Sequence, residues 1–248
     1  MIIELPLLSP SIHYSRIFYH FPSFVQRGSS EPSSTPHVIL VATGSFNPPT
    51  YMHLRMFELA RDHLRSEGYN VVAGYISPVN DAYKKPGLLS SQHRIALCEL
   101  ACESSDFVMV DPWEANQGSY QRTLAVLERI QNSFIDYPYP LKVMLLCGSD
   151  LLHSFSVPGV WIPEQVISIC RDFGVICIRR EGLNVHEVVS NDYVLCLFKG
   201  NIRVVDDSVP NFISSSRLRN CIARGLSVKY LTFDNVISYV QIHNLYKD

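Results

Sequence analysis

From residue 37 onward, short runs of apolar residues alternate with stretches in which apolar positions recur every three or four residues. The runs at 38–43, 70–76, 107–110, 142–147, 174–179 and 202–205 are rich in Val and Ile and almost unbroken by polar residues. Strands covered on both faces have this character. The segments between them predict helices near 51–67, 91–104, 119–132, 163–171 and 183–189, and two more near 215–224 and 233–243. Repeated strand–helix alternation implies right-handed crossovers in a parallel sheet. The expected fold is therefore α/β, a doubly wound, Rossmann-like parallel sheet in a single domain over 37–248. Such sheets bind ligands beyond the carboxyl ends of their strands, near the reversal of strand order. Chemistry is expected just after strands.

Residues 1–36 break the pattern. Gly28-Ser29-Ser30-Glu31-Pro32-Ser33-Ser34-Thr35-Pro36 has no periodicity that could bury a face, and a disordered extension is expected. It lacks the basic start and compact apolar core of a secretory signal. Its serines and scarce acids suit an organelle transit peptide, but only Arg16 and Arg27 supply positive charge. A cytoplasmic or nuclear protein is expected, with organelle targeting the less favoured alternative.

With 47% hydrophobic and 18% charged residues the chain has an ordinary globular composition, and 248 residues suffice for one α/β domain. A formal net charge of -2 gives no whole-molecule attraction to nucleic acid or to an acidic membrane. No apolar run approaches the ~20 residues of a membrane-spanning helix. A soluble protein without nucleic-acid or membrane partners is expected. The seven cysteines, Cys98, Cys102, Cys147, Cys170, Cys177, Cys196 and Cys221, are odd in number and lie mostly in apolar runs. That placement suits reduced, buried thiols better than a disulfide framework. There is no C-x-x-C pair, and Cys98 and Cys102, on one helix face, read as core and not as zinc ligands. The absence of G-x-G-x-x-G after a strand and of G-x-x-x-x-G-K-[ST] disfavours a dinucleotide-dependent dehydrogenase or a P-loop ATPase. Cys147-Gly148-Ser149-Asp150 is not a G-x-S-x-G nucleophile elbow.

The first strand runs into Gly44-Ser45-Phe46-Asn47-Pro48-Pro49-Thr50-Tyr51-Met52-His53-Leu54-Arg55. Gly44 permits a sharp turn and close approach of a ligand to the main chain. Two prolines stiffen the loop, and Thr50 is placed to cap the following helix. His53 falls in its first turn, where free N–H groups and the helix dipole favour an anion. A capped helix with a solvent-facing histidine would use the same residues, so the segment alone leaves both readings open. Nearer the carboxyl end, Asn211-Phe212-Ile213-Ser214-Ser215-Ser216-Arg217-Leu218-Arg219 starts a helix with serines. These can cap it or offer hydroxyl and N–H groups to an anion, and Arg219 can grip a phosphate bidentately. A serine-capped basic helix is the plainer reading of that segment.

Taken together, the two segments resemble the G-x-F-x-P-x-[HT]-x-x-H and I-S-S-T-x-x-R signatures of the nucleotidyltransferase superfamily. Thr50 stands where many members carry a first histidine, Met52 where many carry glycine, and Ser216 replaces threonine. The first two departures are usual in the eukaryotic nicotinamide mononucleotide adenylyltransferases, which the chain resembles over about residues 38–246. The loop Ser77-Pro78-Val79-Asn80-Asp81-Ala82-Tyr83-Lys84-Lys85-Pro86-Gly87-Leu88 carries the same resemblance.

The resemblance implies ATP-binding roles for Gly44, Ser45, Phe46, His53, Gly148, Asp150, Ser215, Ser216, Arg217, Leu218 and Arg219. It implies mononucleotide contacts for Ser45, Phe46, Tyr83, Lys85, Tyr120, Thr123, Val160, Trp161, Arg180 and Asn211, and makes His53, Arg219 and Lys85 the catalytic set. Asp150 would bind ribose hydroxyls, Lys85 phosphate, and Tyr120 and Trp161 the faces of the pyridine ring. Thr123 would bond the ring's amide or carboxylate, so both mononucleotides are expected as substrates. By helical spacing alone Tyr120 would be core, while Lys84 and Arg179 read as solvated.

The activity implied is transfer of AMP from ATP to nicotinamide mononucleotide, and to nicotinate mononucleotide, giving NAD or deamido-NAD and pyrophosphate. Mg²⁺ or another divalent cation would accompany ATP, with no dedicated protein metal site, and a homo-oligomer is left open. The attacking phosphate is already an anion, so positioning and charge neutralisation would suffice without a general base. One alternative is another superfamily enzyme acting on pantetheine phosphate, choline phosphate or glycerol phosphate; Tyr120, Thr123 and Trp161 speak against it. The other is a nucleotide-binding or chaperone-like module without catalysis, against which His53 and Arg219 speak.

Overall fold

All six apolar runs pair into one sheet. The computed structural model describes residues 35–179, 182–209 and 211–247. The extension expected to be disordered lies outside them except for its last two residues, and so does Arg180. The strands are β1 (His37–Gly44), β2 (Asn70–Pro78), β3 (Val108–Val110), β4 (Leu141–Gly148), β5 (Val175–Ile178) and β6 (Ile202–Val205). Every neighbour is parallel, in the order β3-β2-β1-β4-β5-β6. The doubly wound α/β expectation holds. The chain winds outward through β2 and β3, returns past β1 to β4, and winds outward again to β6, so the order reverses between β1 and β4.

The register opens that junction. β1 pairs with β2 as far as Gly44↔Pro78, and β4 with β5 as far as Gly148↔Ile178, whereas the β1–β4 ladder stops at Val41↔Leu145. The carboxyl ends of the two central strands therefore part before either strand ends. A crevice of this kind is where open α/β sheets hold their ligands.

The helices are α1 (Tyr51–Ser66), α2 (Ser91–Cys102), α3 (Thr123–Asn132), α4 (Ser149–Ser154), α5 (Pro163–Ser168), α6 (Val185–Asn191), α7 (Tyr193–Leu197), α8 (Ser215–Ala223) and α9 (Asp234–Ile242). α1 turns Met52, Phe57, Ala60 and Leu64 onto the sheet, where they join Val38, Leu40, Ala42, Met144 and Leu146 in one apolar cluster. The alternation of a strand sends Ile39 and Val41 to the opposite face, and both are fully buried. Gly74 in β2 is required by packing: a Cβ there would lie 2.6 Å from Cδ1 of Phe57. Five of the seven cysteines, Cys98, Cys102, Cys147, Cys170 and Cys177, are buried.

Two expectations shift. The helix expected at 119–132 starts only at Thr123, after Arg122 in an extended conformation. Tyr120 therefore lies ahead of the helix, after a segment in which the carbonyls of Glu114, Ala115 and Gln117 accept from Asn80 Nδ2 at 3.4, 3.3 and 2.6 Å. The short helices α4 and α7 had no sequence signal long enough to announce them, since five or six residues hold too few turns for a period to show. Among the described residues no helix is long and apolar enough to cross a membrane.

Candidate functional site

The loop after β1 turns at Phe46, whose φ is 43°, and not at Gly44 as its residue type suggests. Phe46 is buried, and its ring meets that of His53 edge-on with centroids 5.2 Å apart. Thr50 is the N-cap of α1, as expected. Its backbone N–H donates to His53 Nδ1 at 3.0 Å, and its Oγ1 lies 2.8 Å from the same nitrogen. This reciprocal capping fixes both the start of the helix and the orientation of the imidazole.

The second motif folds directly onto the first. Three successive carbonyls of the loop accept from three different side chains: Asn47 from Arg219 Nη1 at 2.9 Å, Pro48 from Ser215 Oγ at 2.7 Å, and Pro49 from Thr232 Oγ1 at 2.8 Å. The start of α8, capped by Ser214 accepting from the N–H of Arg217 at 3.4 Å, is thereby locked beside the start of α1. Two helix N-termini with His53, Ser216 and Arg219 converge on one side of the crevice. Free N–H groups, hydroxyls and a guanidinium in this arrangement suit polyphosphate oxygens. The Ser215 hydroxyl is engaged with the Pro48 carbonyl, which leaves its backbone N–H at the helix start. Leu218 has a buried side chain, and its N–H donates to Ser214 within the helix. Arg217 lies over the Phe212 ring at 5.3 Å, and Asn211 Nδ2 donates to Met52 Sδ at 3.1 Å.

On the other side of β1 the segment after β2 carries Tyr83 and an exposed Lys85. Tyr83 stacks on Tyr120, with centroids 5.7 Å apart and planes 26° apart. Thr123, buried at the start of α3, lies 3.4 Å from Thr43 through their hydroxyls. Trp161 is held by its own segment: Nε1 donates to Ser154 at 2.9 Å, and the ring meets Phe155 at 4.7 Å. Tyr120 thus takes Tyr83 as its ring partner here, while Val160 beside Trp161 is exposed. Gly148 ends β4, and Asp150 opens the short α4 at the carboxyl edge of the sheet.

Several organising residues went unread in the sequence. Arg94 is wholly buried, at the head of the α2 stripe Arg94, Leu97, Cys98, Ala101, Cys102. That spacing alone would have flagged a cation on an apolar face. Glu114 is buried beside Ser77 and Asn80, and burial pushes its carboxyl up to about 8. Asp207, just past β6, accepts from Arg55 Nη2 at 3.5 Å and from the N–H of Val209 at 3.0 Å through Oδ1, while its Oδ2 is buried without a hydrogen-bond partner. Among the described residues no group of three or more His, Cys, Asp or Glu could hold a metal ion.

The sequence model of the cytidylyltransferase-like family matches residues 41–221, which span both motif segments. The nicotinamide/nicotinic acid mononucleotide adenylyltransferase of Arabidopsis thaliana is 63% identical over 215 residues, covering 85% of this chain and 90% of that protein. The corresponding enzyme 1 of Bos taurus is 39% identical over 255 residues, covering 87% and 91%. Among solved structures, Plasmodium falciparum nicotinic acid mononucleotide adenylyltransferase complexed with NaAD superposes with a TM-score of 0.61 at 18% identity, covering 85% of this chain and 97% of that one, a likeness of fold. The chain belongs to the cytidylyltransferase-like family and, within it, to the nicotinamide/nicotinic acid mononucleotide adenylyltransferases.

Proposed function

We propose that the chain transfers the adenylyl group of ATP to nicotinamide mononucleotide and to nicotinic acid mononucleotide, releasing pyrophosphate. The observation that carries this reading is the closure of Arg219 and Ser215 onto the carbonyls of Asn47 and Pro48, which brings both phosphate-binding motifs to the mouth of the β1–β4 crevice. A 5′-phosphate oxygen of the mononucleotide attacks the α-phosphorus of ATP. As the new P–O bond forms, the bond to the bridging oxygen of the β-phosphate breaks and pyrophosphate leaves with that electron pair. No proton needs to be removed from the nucleophile, so the protein's task is positioning and neutralisation of charge.

In this reading His53 donates from Nε2 to the triphosphate, Arg219 and the start of α8 hold its outer phosphates, and Lys85 draws in the phosphate of the acceptor. Tyr83 and Tyr120 offer flat faces to the pyridine ring, and Thr123 its hydroxyl to the ring substituent. The donors around the two helix starts are N–H groups, hydroxyls and cations, which fit nucleotide phosphates and not a bare metal. Magnesium would therefore be held mainly by the phosphates and water, and supplies further charge neutralisation when bound.

The test is incubation of the purified protein with ATP and each mononucleotide, followed by chromatography for NAD and deamido-NAD and an assay for pyrophosphate. Dinucleotide from both acceptors is expected. ATP binding without pyrophosphate release in either mixture would sink the reading.

A further inference from the structure

Asn47 lies where the two halves of the proposed reaction meet. Its Nδ2 donates to the carbonyl of Gly87 at 2.7 Å, and its Oδ1 accepts from the Tyr246 hydroxyl at 2.7 Å and from the N–H of Leu89 at 3.4 Å. Its carbonyl is the one that accepts from Arg219. The side chain is buried, so a missing partner would strand a desolvated polar group instead of exposing it to water. Burial also pushes the Tyr246 phenol well up, which keeps its hydroxyl a donor.

Gly87 and Leu89 close the loop that carries Tyr83 and Lys85. Arg94 ties the opening of that loop, donating to the carbonyl of Val79 and to Asp81 Oδ1, each at 2.7 Å. The same guanidinium donates to Leu89 at 2.9 Å and reaches the carbonyl of Ser45 at 3.4 Å. The Lys85 loop is thus fastened at both ends to the loop that leads into His53, and that loop is fastened through Asn47 to Arg219.

From these contacts we infer that Asn47 is a positioning residue that couples the ATP-phosphate side of the crevice to the mononucleotide side. Fixing residues 44–50 on the triphosphate fixes the Lys85 loop through Gly87 and Leu89, and filling the acceptor side does the converse. The inference rests on the adenylyltransferase reading. Coupling of binding is reciprocal, so each substrate tightens the other by the same factor, about fivefold or more.

The experiment measures initial rates with ATP varied at several fixed mononucleotide concentrations, for the wild type, Asn47→Asp and Tyr246→Phe. Asn47→Asp keeps size and the Oδ1 acceptor but sets a carboxylate oxygen against the Gly87 carbonyl. In the wild type the KM for ATP is expected to fall about fivefold as the mononucleotide saturates. In Asn47→Asp that dependence disappears and kcat drops about 10²-fold, the scale of a small misplacement of reacting groups. Tyr246→Phe removes one hydroxyl and weakens the dependence in part. Folded Asn47→Asp protein with the wild-type dependence overturns the inference. Should Asn47→Asp lose its near-ultraviolet circular dichroism, Tyr246→Phe decides, and full dependence there overturns it equally. A wild type that makes dinucleotide with mutually independent KM values refutes the coupling alone, whereas a wild type that makes none refutes the reading beneath it.

Discussion

The backbone N–H of Thr50 donates to Nδ1 of His53 across 3.0 Å. A ring nitrogen that accepts from an amide carries no proton, so neutral His53 holds its proton on Nε2. The cap that starts α1 therefore also selects the tautomer, and Nε2 becomes the donor of the pair. One local motif thereby sets both the helix start and the nitrogen from which His53 can donate.

Replacing His53 by Ala is expected to lower kcat by roughly 10²–10³, the scale of one electrostatic stabiliser. Thr50→Val leaves the backbone N–H in place. It should lower stability by about 1 kcal/mol through loss of the hydroxyl at the cap while changing kcat far less. Steady-state kinetics and urea unfolding of both variants separate the two roles. Equal loss of kcat in the two would mean that His53 acts only through the helix start.

Tyr120 stacks on Tyr83 beside the buried Thr123, so Tyr120→Ala is expected to raise the KM of the mononucleotide about tenfold. The KM of ATP should move little. Kinetics with each substrate varied in turn make the comparison, and an unchanged mononucleotide KM would show that the ring binds elsewhere.

The strands were legible because a strand buried on both faces has no polar face to interrupt its apolar run. The motif segments were legible because they sit where such strands end and helices begin. What ties them together was not. Arg94 finds its partners on the carbonyls of Leu89, Val79 and Ser45, and Arg219 on that of Asn47. Every residue has a carbonyl, so a carbonyl acceptor leaves no trace in residue type. The turn at Phe46 was misplaced onto Gly44 for a related reason: the φ of 43° falls on a residue whose type does not favour it and whose buried ring meets His53 edge-on, a contact invisible in residue type. Tyr120 was placed on a helix because its spacing continues that of α3, whereas the chain is extended at Arg122 (φ -83°, ψ 150°), a break that residue type does not announce.

Gly74→Ala tests the packing of α1 on the sheet. The added methyl would lie 2.6 and 2.8 Å from Phe57 ring carbons and 3.3 Å from Val108 Cγ2, and Phe57 is wholly buried. Destabilisation of about 1–3 kcal/mol is expected in urea unfolding. Phe57→Leu in the same chain should relieve part of it, so that the double variant is less destabilised than the two single effects added. Strict additivity would show that the methyl is accommodated by the backbone and not by the ring.

Glu114 supplies a pH dependence with a defined sign. Burial raises its carboxyl from 4.5 to about 8, against the opposing pull of the Asn80 N–H, Ser77 and Arg94, and the nearby Asp111 raises it further. Between those two values the folded chain keeps a proton that the unfolded chain releases. The folded state binds more protons there, so stability falls as pH rises through the window. The contribution is fully present below about 4.5 and lost above about 8. Each pH unit inside the window changes stability by up to about 1.4 kcal/mol. Glu114→Gln keeps the size and an acceptor for the Asn80 N–H but cannot titrate. Urea unfolding of the wild type and Glu114→Gln at a series of pH values from 5 to 8.5 should give curves that converge toward acid and separate toward base, with the wild type falling more steeply. Parallel curves would show that Glu114 titrates at the same pH in both states, and that the buried carboxyl is reached by water.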